Sequence, residues 1–208
     1  MKLRPINKDW KGQRKKLVRY EIGIVGSGGQ GVVLLGTILA QAAASVADLF
    51  VAQTRSYDPA VRGGKAESNL VLSDEEIDYP GVLGYDLLLA LSQEGCDRNI
   101  ERLKKEALLV VDSGLVKKVI WSKILKIPFT KIARQKFNDE RVTNMIALGA
   151  LTRLCEYIPS SAVEASISAN FKGDALKLNL NSFREGIEYT ARRLKFDFER
   201  VDEEEIEI

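Results

Sequence analysis

A glycine-rich turn between an apolar strand and an alanine-rich helix constrains this chain most. The run Ile22-Gly23-Ile24-Val25 leads into Gly26-Ser27-Gly28-Gly29-Gln30-Gly31, and Val32 to Val46 follows with helical spacing of Leu34, Leu35, Ile38 and Ala42. Strand, tight turn and helix in that order make one unit of an open α/β sheet. A second turn-rich segment lies about thirty residues on: Gln53-Thr54-Arg55-Ser56-Tyr57-Asp58-Pro59-Ala60-Val61-Arg62-Gly63-Gly64, after Leu49-Phe50-Val51. In open α/β sheets the carboxyl ends of the strands face one crevice, where ligands bind. Both segments are therefore expected at one edge, where they suit a large anionic ligand or a lid over another subunit's site.

The rest of the chain continues the alternation. Strands are expected over 48–52, 66–72, 85–91 and 107–112. A charged helix is expected over 99–105, a further one over 130–137, and strong helices over 144–157, 161–171 and 179–194. Ser160, Ser161 and Glu164 read as a capping box for the second of these. Asp112-Ser113-Gly114 reads as a strand end that caps the next turn. The stretch 116–126 carries no clear period. The fold class is α/β: a doubly wound, mostly parallel sheet with helices on both faces, and the helical last third covers one face or edge.

Charge divides the chain into three parts. Residues 1–18 form a basic arm, 19–196 a single domain and 197–208 an acidic tail; residues 1–19 hold eight Lys/Arg and only Asp9, and the last seven hold five acids. The net charge is +2 in 208 residues, too small to argue for nucleic acid. No apolar run is long enough to span a membrane, and the basic N-terminus lacks the apolar core of a signal peptide, so a cytoplasmic location is expected. The two cysteines, Cys96 and Cys155, are far apart and no Cys-x-x-Cys occurs. No iron–sulfur cluster can be built from this chain alone. Histidine is absent, which removes imidazole acid–base catalysis and the commonest metal ligand. No catalytic residue and no metal ligand is assigned.

Gly26, Gly28 and Gly31 satisfy Gly-x-Gly-x-x-Gly between strand and helix, so a dinucleotide pyrophosphate on the helix N-terminus is one reading. That reading wants an acid at the carboxyl end of the second strand, and Val51-Ala52-Gln53 supplies none. Turn geometry alone is another reading. A third is that Gly28, Gly29, Gln30 and Gly31 offer N–H groups and an amide to a phosphate or carboxylate. Arg62, beside Gly63 and Gly64, could clamp a phosphate, pair with a partner chain, or stay solvated. Tyr57 could stack on an adenine, line an interface or pack in the core. Arg55 is a candidate second anion contact.

Taken together, the two loops resemble the gamma subunit of the 2-oxoacid:ferredoxin oxidoreductases. The resemblance continues through Val71-Leu72-Ser73, residues 86–91, residues 144–151 and residues 179–186, and covers roughly residues 20–190. Two positions depart from the family's Ser-Tyr-Gly-Pro-Glu: Asp58 stands for the glycine and Ala60 for the glutamate. The resemblance implies oxidative decarboxylation of a 2-oxoacid with coenzyme A, giving acyl-coenzyme A, carbon dioxide and reduced ferredoxin. It implies that thiamine diphosphate, magnesium and [4Fe-4S] clusters sit on partner subunits. The partners are then alpha, beta and ferredoxin-like delta subunits, with ferredoxin as acceptor. It further implies a chain that packs over the thiamine site, contacts coenzyme A through the loop residues named above, and is inactive alone, where it could pair as a homodimer. A stand-alone Rossmann-type oxidoreductase and a ligand-free interaction module are the alternatives.

Overall fold

The computed structural model describes Leu17, residues 19–57 and residues 64–204, with side chains described to residue 194. The six strands are β1 (Tyr20–Ser27), β2 (Phe50–Tyr57), β3 (Lys65–Ser73), β4 (Tyr85–Ala90), β5 (Leu103–Asp112) and β6 (Ile124–Ile127). They form one sheet in the order β2-β3-β1-β4-β5-β6. The pairs β1·β4, β4·β5 and β5·β6 are parallel, whereas β3 runs antiparallel to both of its neighbours. Five strands thus point one way and β3 alone is reversed, so the α/β, mostly parallel class holds. The hairpin β2–β3 puts β3 beside β1 and leaves β2 at the edge.

The helices are α1 (Val32–Ala44), α2 (Gln93–Asn99), α3 (Phe129–Ile132), α4 (Thr143–Leu154), α5 (Ser160–Asn170) and α6 (Gly173–Glu204). Alternation along the strands sorts the core into two layers. Ile22 and Ile24 of β1 and Leu87 and Leu89 of β4 join α1, α3, α4 and α5 in the larger cluster. Val25, Leu88 and Ala90 face the other way, toward Cys96 of α2 and the segment Val116–Trp121. Helices therefore lie on both faces, unequally. The last third of the chain covers one face, as its sequence suggests, and α6 packs on α4 as an outer layer. Two glycines permit that approach: a Cβ at Gly149 would fall on the Phe183 carbonyl, and one at Gly186 on the Ile146 carbonyl.

Several local expectations change. β2 runs to Tyr57, so Gln53 to Tyr57 are strand and the second loop is shorter. The charged helix expected over 99–105 is instead the end of α2, a single 3-10 turn (Ile100–Arg102) and the start of β5. Ser92 sets that helix start, because its hydroxyl accepts from Gly95 N–H at 3.1 Å. The capping box at α5 does not form. Its N-cap is Pro159 with no side-chain bond, and Glu164 pairs with Arg184 on α6 instead. A carboxylate with a guanidinium in reach is drawn to it in preference to a backbone amide. The helix expected over 130–137 is α3 followed by a π turn, Ala133–Phe137, ending at Asn138 with φ 50°. The basic arm, except Leu17, and the end of the acidic tail lie outside the described residues. Leu17 is buried, and its N–H donates to Asp74 at 2.6 Å.

Candidate functional site

The carboxyl ends of β1, β2, β4, β5 and β6 share one edge of the sheet, with the start of β3 among them. The chain leaves β1 for α1 on one face and leaves the adjacent β4 for α2 on the other. That divergence is the switch point at which α/β sheets bind ligands. Here the gap is bridged by a side chain. Gln30 Oε1 accepts from Ser27 N–H at 2.6 Å, and its Nε2 donates to the Leu91 carbonyl at 2.8 Å. Both ends of the amide that the sequence offers to a ligand are therefore engaged in tying β1 to β4. Gly26 has no Cβ because Gln30 Oε1 occupies that place, 2.5 Å away.

Gly28 and Gly29 sit at the exposed tip of the loop. Gly28 N–H donates to the Gly64 carbonyl at 2.6 Å, which joins the two glycine segments directly. Gly29 has φ 91° and open space around it. Gly31 has φ 72° and caps α1 from the left-handed region, with no side-chain cap on the helix. The first-turn N–H groups of α1 thus point at this edge with no side-chain cap among the described residues. A Cβ on Gly31 would fall on Asn144 Nδ2. Asn144 opens α4, so the positive ends of two helices converge here. The residue is 6% exposed, and its Oδ1 finds no hydrogen-bond partner among the described residues. Sequence pattern alone marks Asn144 only as part of a helix; its place against Gly31 comes from the fold.

Tyr57 and Arg55 are two residues apart on β2 and share the face that carries α1. Tyr57 is 68% exposed, so it lies outside the core. Its register partner across the hairpin is Ala66, and that of Arg55 is Ser68. Gln53, on the same face, donates from Nε2 to Ser68 Oγ at 2.9 Å under α1. Arg62 and Gly63, with Asp58 and Ala60, lie outside the described residues; Gly64 and Tyr57 bracket them. The site therefore brings together Gly28, Gly29, Gly31, Gly64 and Tyr57, and turns Gln30 inward. Asp112 caps its turn as expected, accepting from Gly114 N–H at 2.7 Å. It also holds α3, through Thr130 N–H at 2.9 Å and Thr130 Oγ1 at 2.6 Å.

This geometry argues against the dinucleotide reading. An adenine-ribose site needs its acidic residue on the strand next to β1, and the neighbour on that side is β3, entering from the opposite direction. Burial pushes the Cys96 thiol up to about 11 and the Cys155 thiol up to about 12, so neither is a ready nucleophile.

A glycine-joined pair of loops on the carboxyl edge of a mostly parallel sheet defines an α/β domain, and comparison with known proteins gives it a family. The family model for pyruvate ferredoxin/flavodoxin oxidoreductase matches residues 21–189. The 2-oxoglutarate synthase subunit KorC of Methanocaldococcus jannaschii is 37% identical over 180 residues, covering 85% of this chain and 96% of that protein. The ketoisovalerate oxidoreductase subunit VorA of Methanothermobacter thermautotrophicus is 28% identical, and the match covers 84% of this chain but 37% of that longer protein. Among solved structures, the gamma subunit of the keto/oxoacid ferredoxin oxidoreductase of Geobacter sulfurreducens superposes with a TM-score of 0.75 at 34% identity, over 84% of this chain and 98% of that one. The 2-oxoglutarate:ferredoxin oxidoreductase of Magnetococcus marinus, solved with 2-oxoglutarate, coenzyme A and succinyl-CoA bound, superposes at 0.76 with 26% identity, over 86% of this chain and 32% of that one. The chain belongs to the pyruvate ferredoxin/flavodoxin oxidoreductase family, as a gamma subunit of a multisubunit 2-oxoacid:ferredoxin oxidoreductase. Among the described residues, no helix is long and apolar enough to cross a membrane.

Proposed function

We propose that this subunit packs over a thiamine diphosphate site held by its partners and that its joined glycine loops form part of the entrance for coenzyme A. The observation that carries this reading is the Gly28 N–H to Gly64 carbonyl bond, which holds Gly64 against the loop that opens α1; Arg62 stands two residues before Gly64 in the sequence. Coenzyme A carries several phosphates. Two converging helix N-termini and an arginine beside two glycines suit such a ligand. The exposed Tyr57 ring offers a stacking surface for an adenine or a pantetheine arm. The coenzyme A bound in the Magnetococcus enzyme supports the choice of ligand. We assign alpha, beta and ferredoxin-like delta subunits as partners, and place thiamine diphosphate, magnesium and the clusters on them. The assembly then works in the cytoplasm with ferredoxin as acceptor. We assign 2-oxoglutarate as the first substrate to test, because the KorC relatives are closer in sequence than the VorA relatives. The isolated chain has no turnover in this reading.

Arg62→Ala in the assembled enzyme tests the loop role. One charge-assisted contact contributes about 1.5–3 kcal/mol, so the KM for coenzyme A should rise roughly 10- to 100-fold. Decarboxylation of the 2-oxoacid to the thiamine-bound intermediate should stay near normal. Gel filtration of the same complex separates ligand binding from docking. A complex that dissociates, or a parallel decline in 2-oxoacid and coenzyme A kinetics, defeats the assignment.

A further inference from the structure

The β6 flank of the sheet, from the carboxyl end of β5 back to the start of β6 and on to α3, has its own character. From Ser113 to Asn138, 26 residues hold seven Lys/Arg and no Asp or Glu, in a chain of net charge +2. This segment contains β6, which stands three strands from β1, so roughly 14 Å separates it from the glycine loops at ~4.8 Å per strand. Lys117, Lys118, Lys126 and Lys131 form no ion pair with any described residue, while Lys123, Arg134 and Lys136 are taken by Glu106, Glu140 and Glu185. The same segment carries two exposed apolar side chains: Leu115 is 40% exposed and Ile120 is 95% exposed. A shallow pocket of about 260 Å³ opens between Leu115 and the residues Thr130, Lys131 and Arg134.

The backbone beneath these side chains is held firmly. Gln93 Oε1 accepts from Lys117 N–H at 2.8 Å and Lys118 N–H at 3.0 Å, and its Nε2 donates to the Lys118 carbonyl at 2.7 Å. Asp112 fixes the loop start and α3 together, as described above. Trp121 Nε1 donates to the Ala107 carbonyl at 2.9 Å and anchors the far end. A solvated loop has no need of such fixing. Rigid presentation of cations around apolar anchors is what a protein interface requires, because less ordering entropy is lost on docking.

We propose that this β6-edge surface, built on Leu115, Lys117, Lys118, Ile120 and Lys131, is where the chain docks on an acidic face of another subunit of its complex. The uncompensated cations select carboxylates on the partner. The exposed isoleucine selects a lasting protein contact over a polyanion, since a nucleic acid backbone gains nothing from it. The inference rests on the reading of the chain as one subunit of an assembly.

The test uses the complex purified through a tag on this chain, beside the full-length chain alone. Acetylation of lysines in both should show Lys117, Lys118 and Lys131 at least 10-fold less reactive in the complex. A zero-length carbodiimide should couple at least one of them to an Asp or Glu of a partner subunit. Ile120→Asp should weaken association about 30-fold, as for the loss of an interface hot spot. The free variant should melt with the wild type, because the side chain it replaces is exposed. Neutralising Lys117, Lys118 and Lys131 to Gln should remove most of the salt dependence of assembly. Equal lysine reactivity in the free chain and the complex overturns the proposal. So does protection that nuclease removes, or coupling to the soluble electron acceptor instead of a subunit. Failure of any subunit to co-purify defeats the subunit reading itself, which is a different result.

Discussion

The two edges of the sheet are held together by different chemistry. At the amino edge, the second residue of β1 is Glu21, a carboxylate whose side chain is 1% exposed. Leu83 N–H and Gly84 N–H donate to it at 2.9 and 3.0 Å, Arg19 Nε at 2.8 Å, and Lys104 Nζ lies 3.1 Å away. Arg19 also reaches the Tyr79 and Gly81 carbonyls, and Lys104 reaches Asp86. One buried charge thus organises the loop 79–84 and the starts of β1, β4 and β5. At the carboxyl edge, the glycine loops meet through main chain, with a single amide side chain bridging the strand ends. The first arrangement gives stability and leaves little polar capacity unspent. The second leaves exposed glycines and, among the described residues, helix N–H groups without a side-chain cap and an Asn144 oxygen without a partner, which is where a ligand can be accommodated. If this contrast is right, changes at the amino edge lower stability and spare catalysis. Changes at the carboxyl edge shift ligand use by more than their effect on stability.

The largest effect should come from Glu21→Ala, which strips a buried network of its centre and should cost about 3 kcal/mol in denaturant unfolding. Burial by itself raises the Glu21 pKa, but donation from Leu83 N–H, Arg19, Lys104 and Gly84 N–H outweighs it and lowers the value. A carboxylate depressed in the folded state adds stability above its unfolded pKa, roughly 4.3, and loses it as pH falls through the folded value. The gap between wild type and variant should therefore narrow in acid. A gap that stays constant from pH 7 to pH 3 would show that charge at Glu21 is not what holds this edge.

Next is Gly31→Ala. It places a Cβ on Asn144 at a positive φ, for a loss of about 2 kcal/mol. Asn144→Ala clears the space, so the same change in that background should cost only about 1 kcal/mol, the residual strain of the left-handed backbone. Additive losses in the double-mutant cycle would mean the two residues are not in contact. Gln30→Ala removes both bonds of the bridge between β1 and β4, for about 1.5 kcal/mol. It should also raise the KM for coenzyme A in the assembled enzyme, and an unaltered KM would confine Gln30 to a structural part. The smallest stability change is at Gly29→Ala: strain of about 1 kcal/mol and no clash. Its effect on coenzyme A use should exceed that on melting temperature, and the reverse order would erase the distinction between the two edges.

Much of this was legible in residue patterns, and the reasons for the exceptions are physical. Local chemistry fixed the strand–turn–helix at 22–46, the buried runs of β4 and β5, the strong helix α4 and the cap made by Asp112, because each is a contact between near neighbours. The charged helix expected over 99–105 falls instead on the last residue of α2, the 3-10 turn and the first residues of β5, because the charged period there does not reveal the helix start that Ser92 sets seven residues earlier. The capping box at α5 failed because Glu164 meets Arg184, twenty residues away. The partners of Gln30 are split in the same way: Ser27 is within three residues, but Leu91 is sixty-one away.

The sequence by itself determined that this chain makes an α/β sheet with two glycine-rich segments, no histidine chemistry and no cluster of its own. These follow from composition and from spacing within single elements. Only the tertiary structure decided that β3 enters between β1 and β2, that Gly28 grips Gly64, and that Gln30 turns inward while Asn144 closes on Gly31. Strand order and loop contact depend on which elements share a face after folding, and that is set by the summed burial of the whole core rather than by any window of the chain.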